Sequence, residues 1–262
     1  MRLPRLQLFE FNDLDWVPAA ARDTIVEALS RSLEWGRMLD GLVEPFARFI
    51  EEARVDEVLD LGAGAGGPAR ILAGAMGRSG RVAPRFVLTD LHPRVEAWER
   101  ARAQYPGTID FEPSPVDATR VAPEIARGRG RTLINIFHHL PPALARAVLE
   151  DAVRGSPGVF IAEGFERCPA QFLNFAPAGL LALYAGPLFT ERERLAKAAL
   201  TWFTPAALLM GTWDGVVSTL RIYEEAELRQ MVAPLGERFR WTYGTYRYFP
   251  RGKGHYFYGV PR

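Results

Sequence analysis

The sequence feature that most constrains the fold is a glycine-rich loop that directly follows a short apolar strand. Residues 58–67 read VLDLGAGAGG, and a helical stretch that opens with a proline comes next. Glycines allow positive φ angles and a close approach of the backbone to a ligand, while the N-terminus of the following helix favours a negatively charged group. A strand, a glycine loop and a helix in this order predict the first β-α unit of an open sheet with a ligand site at the carboxyl ends of its strands.

The rest of the chain alternates helix and strand patterns. Before the loop, helices are predicted near 20–38 and 42–53, the first with Ile25, Leu29 and Leu33 on one face. After the loop, β-α units repeat, and the tail contains one more helix and two strands joined by a Pro/Gly/Lys loop. We predict an α/β fold with a seven-stranded, Rossmann-like sheet, mostly parallel with an antiparallel last strand. The predicted strands span 55–61, 85–90, 108–111, 132–137, 158–163, 239–248 and 255–260.

Length and composition favour one α/β domain that carries an insertion. We predict an N-terminal helical segment over 1–54 and a main domain over 55–262, with a helical insertion after the fifth strand at about 169–211. A formal net charge of +1 gives no basic footprint, so nucleic acid is not an expected partner. Cys168 is the one cysteine, which excludes an internal disulfide and a zinc–thiolate site, and no metal is predicted. The first residues carry acids and lack a continuous apolar run, so a cytoplasmic location is the default expectation.

The glycine spacing by itself fits two kinds of cofactor. Gly62, Gly64 and Gly67 match the G-x-G-x-x-G spacing of dinucleotide sites. With Gly66 in place of Gly67, the same loop matches the G-x-G-x-G spacing of methyltransferases. Glycines alone therefore leave both cofactors open.

Acidic residues at the strand ends favour the second spacing. Asp60 lies two residues before the first glycine, and Asp90 ends the second strand, where a carboxylate can accept both hydroxyls of a ribose. Asp117 follows the third strand, where a polar group can bracket an adenine edge. Together these features resemble the class I S-adenosylmethionine-dependent methyltransferases, from about Val55 to the C-terminus. The predicted terminal hairpin, 239–260, agrees with this resemblance, because the sheet of that family ends in an antiparallel strand.

The resemblance implies S-adenosyl-L-methionine as the cofactor and S-adenosyl-L-homocysteine as the product. The backbone at Gly62–Gly64 would hold the methionyl part, and Asp60 would meet its amino group. Asp90 would hold the ribose diol, Asp117 the adenine, and Asn135 would face the methionyl or methyl end. The full set implied for the cofactor is Asp60, Gly62, Ala63, Gly64, Asp90, Leu91, Asp117, Ala118 and Asn135.

Two histidines follow the fourth strand, at the edge where the ligand is expected. His138 and His139 stand in the segment NIFHHLPP, and an unperturbed histidine is suited to proton transfer near neutral pH. They are the candidate catalytic residues. The same stretch also resembles the common methyltransferase HHLP segment, in which the histidines shape the loop or touch the cofactor, so both roles stay open. His92 and His255 have no such context and are expected at the surface or in the hairpin.

The insertion begins with a long apolar stretch. Residues 172–189 contain Asn174 as their one strongly polar side chain, while Pro177 and Pro187 argue against a continuous helix. Three interpretations are kept: a helical lid over the cofactor, a helix lying in a membrane interface, and a true membrane span. The first two both predict a hydrophobic acceptor.

Several residues are candidates for contact with this acceptor. Either Trp213 and Asp214 form part of its wall, or Asp214 caps a turn and Arg221 pairs with a nearby acid at the surface. Trp16, near the N-terminus, either completes the same pocket or packs a leading helix. The predicted acceptor residues are Trp16, Phe172, Phe175, Leu181, Tyr184, Trp202, Trp213 and Asp214.

The function that these features favour is transfer of a methyl group from S-adenosylmethionine to oxygen or carbon of a small hydrophobic or lipid-like acceptor. Two alternatives stay open: an NAD(P)-dependent oxidoreductase, and a non-catalytic binding protein with the same fold. No N/D-P-P-Y/F signature follows the fourth strand, which disfavours methylation of nucleic acid or protein amino groups. A peripheral membrane contact is left open.

Overall fold

A seven-stranded sheet lies in the part of the chain that the computed structural model describes, residues 4–14, 16–190, 192–249 and 251–262. The strand order is β3-β2-β1-β4-β5-β7-β6. Strands β1 to β5 are parallel, and β7 runs antiparallel to β5. The bounds are β1 Glu57–Leu61, β2 Arg85–Thr89, β3 Ile109–Phe111, β4 Gly130–Ile134, β5 Val159–Glu163, β6 Phe239–Tyr248 and β7 Gly252–Pro261. The predicted fold class is confirmed.

The two helices predicted before the glycine loop are present with slightly shifted ends. Pro250, in the predicted loop between the last two strands, lies outside the described residues. The helices are α1 Ala19–Trp35, α2 Val43–Ala53, α3 Gly67–Arg78, α4 Val95–Gln104, α5 Pro123–Ala126, α6 Pro142–Gly155, α7 Phe172–Phe189, α8 Arg194–Ala198, α9 Ala206–Arg221 and α10 Glu225–Val232, and a π-helical turn at Ala199–Phe203 joins α8 to the segment before α9.

The described chain groups into two compact units. One contains the sheet and consists of Leu39–Gly164, Tyr223–Tyr246 and Gly254–Arg262. The other is helical and consists of Met1–Met38, Phe165–Ile222 and Arg247–Lys253. Residues 39–54, placed in an N-terminal segment by the sequence-based division, belong to the unit with the sheet.

The sheet unit is covered on both faces, which explains why its central strands are apolar throughout. On one face, α2 packs Phe46 and Phe49 against Phe160 of β5, with ring centroids 5.2 and 5.4 Å apart. On the other, Leu149 of α6 and Leu228 of α10 join a buried cluster with residues of β1, β4 and β5. With both faces covered, the carboxyl ends of the strands and the loops that follow them are the natural place for a ligand.

Strand β4 ends earlier than the sequence predicts. It stops at Ile134 instead of continuing to Phe137. The reason is Asn135, whose φ of +56° is left-handed and therefore incompatible with an extended strand. Phe137–His139 then form a short 3-10 turn.

In the helical unit, α1 packs mainly against α7. The predicted face of α1 is offset, because Leu33 is buried but Leu29 is exposed and Ile25 is half-buried. Its buried face instead presents small residues such as Ala28, which forms a buried cluster with Leu183 of α7 and Ala207 of α9. Small side chains allow a close approach between helices, and apolar periodicity alone does not identify that face.

Helix α7 is continuous, so the predicted break at its prolines is wrong. Pro187 lies in the last turn and Pro177 in the second, so the hydrogen bonds that their missing N–H groups cannot make lie near the helix ends. By length and composition this helix is long and apolar enough to cross a membrane, and 28% of it is buried inside the protein. The core helix of a soluble protein can have the same length and composition. The lid, interfacial and spanning interpretations of the insertion all stay predictions.

Candidate functional site

The glycine loop between β1 and α3 takes left-handed backbone conformations. Gly62 and Gly64 have φ angles of +69° and +55°. A Cβ atom at Gly62 would approach Cγ1 of Ile136 to 2.8 Å, whereas a Cβ atom at Gly64 would meet nothing within 4 Å. Any side chain at position 62 would therefore clash with Ile136, so the position requires glycine. Gly64 instead leaves an open space beside its backbone, as a close-approaching ligand needs.

Asp90, just after β2, holds this loop in place. Its Oδ2 accepts a hydrogen bond from the Gly64 N–H at 2.9 Å, and its Oδ1 accepts one from the His92 N–H at 2.9 Å. The indole N–H of Trp98 donates to the Gly64 carbonyl at 2.8 Å, which ties the loop from the other side. Each carboxylate oxygen has two lone pairs, so Asp90 can accept further donors while it keeps these contacts.

Asp60 is a buried carboxylate at the end of β1. It lies opposite Thr132 of β4, and the Thr132 hydroxyl donates to its Oδ1 at 3.0 Å. Its Oδ2 is buried and has no hydrogen-bond partner among the described residues. Burial raises the pKa of Asp60 to about 7, against the opposing hydrogen bond from Thr132 and with a smaller contribution from the charge of Asp90. A buried oxygen without a donor is costly, and a bound ammonium or N–H group would supply that donor.

The segment after β3 is attached to the same strand ends. The Val116 N–H donates to the Asp90 carbonyl at 2.9 Å, which places Asp117 next in the chain. Asp117 is exposed, and its Oδ1 accepts from the backbone N–H and the hydroxyl of Thr119 at 2.8 and 2.7 Å. Ala118 packs against the core, and Leu91 is exposed. The structure therefore brings Asp60, Asp90 and the segment of Asp117 to one edge of the sheet.

Asn135 joins the ends of β4 and β5. Its backbone N–H donates to the Ala162 carbonyl at 2.8 Å, and its side-chain Oδ1 accepts from the Gly164 N–H at 2.7 Å. This side-chain contact and the left-handed backbone orient the turn that leads to the two histidines. Strained or unusual backbone at the end of a strand is a frequent feature of functional sites.

His138 forms a buried pair with Glu163, the last residue of β5. The two Glu163 oxygens contact the backbone N–H and the ring Nδ1 of His138, both at 2.8 Å. Burial alone would raise the pKa of Glu163, but the charge and hydrogen bonds of His138, together with the charge of His255, outweigh it and hold this pKa below its usual value. The His139 ring centroid lies 4.3 Å from that of His138. An ionised carboxylate on Nδ1 leaves Nε2 as the basic nitrogen of His138.

Glu163 and His255 are functional candidates that the sequence does not reveal. His255 was expected at the surface or in the hairpin, and it is indeed in β7, but it is buried opposite Glu163 in the β5–β7 register. Tyr243 stacks on its ring with centroids 5.6 Å apart. Glu163 could have been suspected as an acid that ends an apolar strand. The neighbourhood of His255 depends on antiparallel register, which the sequence alone does not define.

The predicted acceptor residues lie in the helical unit, where they form three groups. Phe172 and Phe175 pack on each other at 5.8 Å, and Phe175 also contacts Phe165 at 5.5 Å. The Trp202 indole N–H donates to the Tyr184 carbonyl at 2.9 Å. Leu181 and Tyr184 are both exposed on α7.

Trp16, Trp213 and Asp214 form the third group, around the N-terminal segment. Trp213 and Asp214 lie inside α9. From there Asp214 caps the turn at the start of the chain, because its oxygens accept from the backbone N–H groups of Phe11 and Asn12 at 2.7 and 3.1 Å. Trp16 is exposed, and its ring contacts that of Phe11 edge-on.

Arg221 pairs with acids as expected, but inside the helical unit and not at its surface. Its guanidinium lies 3.1 Å from Glu10 and 3.0 Å from Asp13, and Arg221 and Glu10 are both buried. Burial raises the pKa of Asp214, although the hydrogen bonds from Phe11 and Asn12 oppose this effect. The N-terminal segment is thus held to α9 by charged and polar contacts.

Comparison with known proteins supports the fold. No protein-family model matches the sequence. No curated protein matches it either. The methyltransferase domain of bacterial CtHen1-CN is 11% identical, with a TM-score of 0.50 over 85% of this chain and 99% of that one. The methyltransferase domain of bacterial CtHen1-C is 10% identical, with a TM-score of 0.50 over 86% and 98%. Magnesium protoporphyrin IX methyltransferase (ChlM) from Synechocystis PCC 6803, with bound SAH, is 15% identical, with a TM-score of 0.48 over 92% and 99%. The chain has the fold of the class I S-adenosylmethionine-dependent methyltransferases, which confirms the resemblance at the level of the fold.

Proposed function

We propose that this protein is an S-adenosylmethionine-dependent methyltransferase that acts on oxygen or carbon of a small hydrophobic acceptor. The observation that carries the proposal is the buried Oδ2 of Asp60, which has no hydrogen-bond partner among the described residues, together with the open space at the backbone of Gly64. An amino acid's ammonium group suits such an oxygen, because a charge-assisted hydrogen bond would offset the cost of burial. The fold of the compared methyltransferase domains agrees with this assignment.

The cofactor residues inferred from the sequence fit this arrangement. Asp60 would accept from the methionyl amino group, and Asp90 would accept from the ribose hydroxyls while it keeps its hydrogen bond from Gly64. Asp117 would take the adenine edge and Asn135 the methionyl end, as proposed from the resemblance. When bound, S-adenosylmethionine supplies an electrophilic methyl group. The protein's task is then to align the acceptor, and alignment alone can lower a barrier by several kcal/mol.

For an acceptor that must lose a proton, we propose His138 as the general base. Glu163 would be its positioning residue, because it holds Nδ1 at 2.8 Å and leaves Nε2 to take the proton. His139, whose ring packs against that of His138, is the alternative base, and a role in shaping the loop stays open for both. The proposed acceptor residues of the helical unit, the domain division at residue 54 and the cytoplasmic location also stay proposals.

Cofactor binding is tested with matched glycine variants. Gly64 and Gly80 both have left-handed φ angles and open space for a Cβ atom, but Gly80 lies in the loop after α3. Gly64→Val and Gly80→Val should therefore carry similar backbone costs of about 1–2 kcal/mol each. Calorimetry with S-adenosylhomocysteine should show binding to the wild type and to Gly80→Val, and none to Gly64→Val.

A thermal-shift series with S-adenosylhomocysteine, NAD and NADP distinguishes the alternatives. Stabilisation by S-adenosylhomocysteine alone is the expected result. Stabilisation by NAD or NADP would replace the proposal with the oxidoreductase, and equal binding by the two glycine variants would mean that the loop is not the ligand site.

A further inference from the structure

An apolar pocket lies wholly within the helical unit, between α9 and the stretch of chain that precedes α1. Its volume is about 560 Å³, within the range of small-molecule sites. Its lining residues are Phe9, Phe11, Ala206, Leu209, Met210 and Trp213. None of these side chains carries a charge, so the pocket offers almost nothing but hydrocarbon and aromatic surface.

The aromatic wall of this pocket is arranged at angles. The Phe9 and Phe11 rings are nearly perpendicular, with centroids 5.4 Å apart, and Phe9 and Trp213 are tilted by 33° at 5.2 Å. Such a wall offers both ring faces and ring edges, and a further aromatic ring can pack on either in the geometries that aromatic pairs prefer. A charged group would lose its hydration here without gaining a partner.

Polar contacts behind the wall hold it rigid. The Trp213 indole N–H donates to the Phe9 carbonyl at 3.0 Å, and Asp214 accepts from the Phe11 N–H at 2.7 Å. Further along the segment, the Leu6 N–H donates to the Leu220 carbonyl at 3.1 Å. All the polar groups named here take part in these hydrogen bonds, and the lining of the pocket is almost wholly apolar. A preformed wall loses little entropy on binding, which is typical of ligand sites.

We propose that this pocket binds the ring system of a neutral aromatic small molecule. Phe9, Leu209 and Trp213 are exposed around it, and a contiguous exposed apolar surface on a folded protein commonly marks a binding site. This ligand site deepens the proposed function, since Trp213 is among the predicted acceptor residues. It rests on that function only for identifying the ligand as the acceptor, because ring binding itself requires no cofactor.

The probe for this site is the neutral fluorophore N-phenyl-1-naphthylamine, titrated into the full-length protein without cofactor. We compare Leu209→Asp, which places a carboxylate in the lining, with Leu195→Asp on α8, outside it. Both leucines are largely exposed, at 63% and 87%, so both variants should fold, and circular dichroism verifies this. Saturable binding to the wild type and to Leu195→Asp, with at least about tenfold weaker binding to Leu209→Asp, is the expected result. Leu209→Met should restore it.

Several outcomes would overturn the proposal. Absent or non-saturable fluorescence in the wild type, or equal affinity in the two aspartate variants, would show that the pocket does not bind rings. Light scattering that finds a dimer broken by Leu209→Asp but not by Leu195→Asp would assign the surface to a second copy. Flotation with phosphatidylcholine vesicles that depends on Leu209 in the same way would assign it to lipid. Because none of these readouts uses S-adenosylmethionine, their failure is distinguishable from failure of the methyltransferase proposal.

Discussion

Asp60 predicts an unusual dependence of stability on pH. Its pKa is raised in the folded protein from its ordinary 3.8 to about 7, so the native state binds more protons than the unfolded state between these values. Stability must therefore fall as the pH rises through this interval and level off above it. The full interval corresponds to about 4 kcal/mol, and the part lost between pH 5 and pH 8 is roughly 2–3 kcal/mol.

The perturbation that isolates this effect is Asp60→Asn, which keeps the shape and removes the titration. Urea unfolding of both proteins from pH 5 to pH 8 should show the wild type losing roughly 2–3 kcal/mol more than the variant. The absolute difference at one pH is less informative, because the amide N–H₂ leaves a buried donor that costs about 1–3 kcal/mol. The change with pH does not depend on that constant cost.

The affinity of the protein for S-adenosylhomocysteine should change with pH in the opposite direction to its stability. If the Asp60 carboxylate accepts from the cofactor's ammonium group, S-adenosylhomocysteine should bind the wild type more tightly as the pH rises through 7, and should bind Asp60→Asn weakly throughout. Asp56→Asn, in the exposed loop before β1, is the control for a general effect of removing an acid. If the free energies of unfolding of the wild type and of Asp60→Asn changed equally between pH 5 and pH 8, the raised pKa assigned to Asp60 would be refuted.

Three further predictions concern the strand ends and the insertion. Asp90→Ala should weaken S-adenosylhomocysteine binding about tenfold or more in calorimetry, because a charge-assisted contact and the tie to the glycine loop are lost; unchanged affinity would remove Asp90 from the site. With an identified acceptor, His138→Ala should lower turnover by about 10²–10⁴-fold. Glu163→Gln should change the pH dependence of kcat more than it changes KM, and both variants should retain their affinity for the cofactor. Near-native turnover in both variants would leave alignment of the acceptor as the mechanism. Leu181→Glu should impair acceptor use without affecting cofactor binding, whereas Leu173→Glu, at a position of α7 that is also largely exposed, should leave acceptor use intact. Equal effects would mean that α7 contributes no specific acceptor contact.

The sheet could be predicted because its signals are local. Apolar runs bounded by glycine or proline identify the strands, and the distances between them require crossover helices. The glycine loop and the acids at the carboxyl ends of β1 and β2 are recognisable for the same reason, since parallel strands bring these ends to one edge. The end of β4 was missed because Asn135 adopts a left-handed conformation that asparagine tolerates but does not require.

The parts that could not be predicted depend on partners distant in sequence. The pairing of His138 with Glu163 joins a turn to a neighbouring strand, and the approach of His255 requires the antiparallel register of β7. The pocket wall depends on Asp214 reaching the backbone of Phe11, 203 residues away. Composition and periodicity carry no information about such contacts.

Two positions at the strand ends break local rules, and both are among the residues proposed for the cofactor. Asp60 is a buried carboxylate, one oxygen of which has no partner in the described part of the chain, and Asn135 is a residue other than glycine in a left-handed conformation. Neither feature stabilises the fold: the first costs free energy at neutral pH, and the second ends a strand that the sequence would otherwise extend. A structure retains such features where function needs them, because the rest of the sheet supplies the stability that they remove. Their coincidence at one edge is an argument for a ligand there that does not depend on the glycine motif. If Asp60→Asn lost both the binding of S-adenosylhomocysteine and the fall in stability between pH 5 and pH 8, the buried carboxylate would be connected to the ligand site.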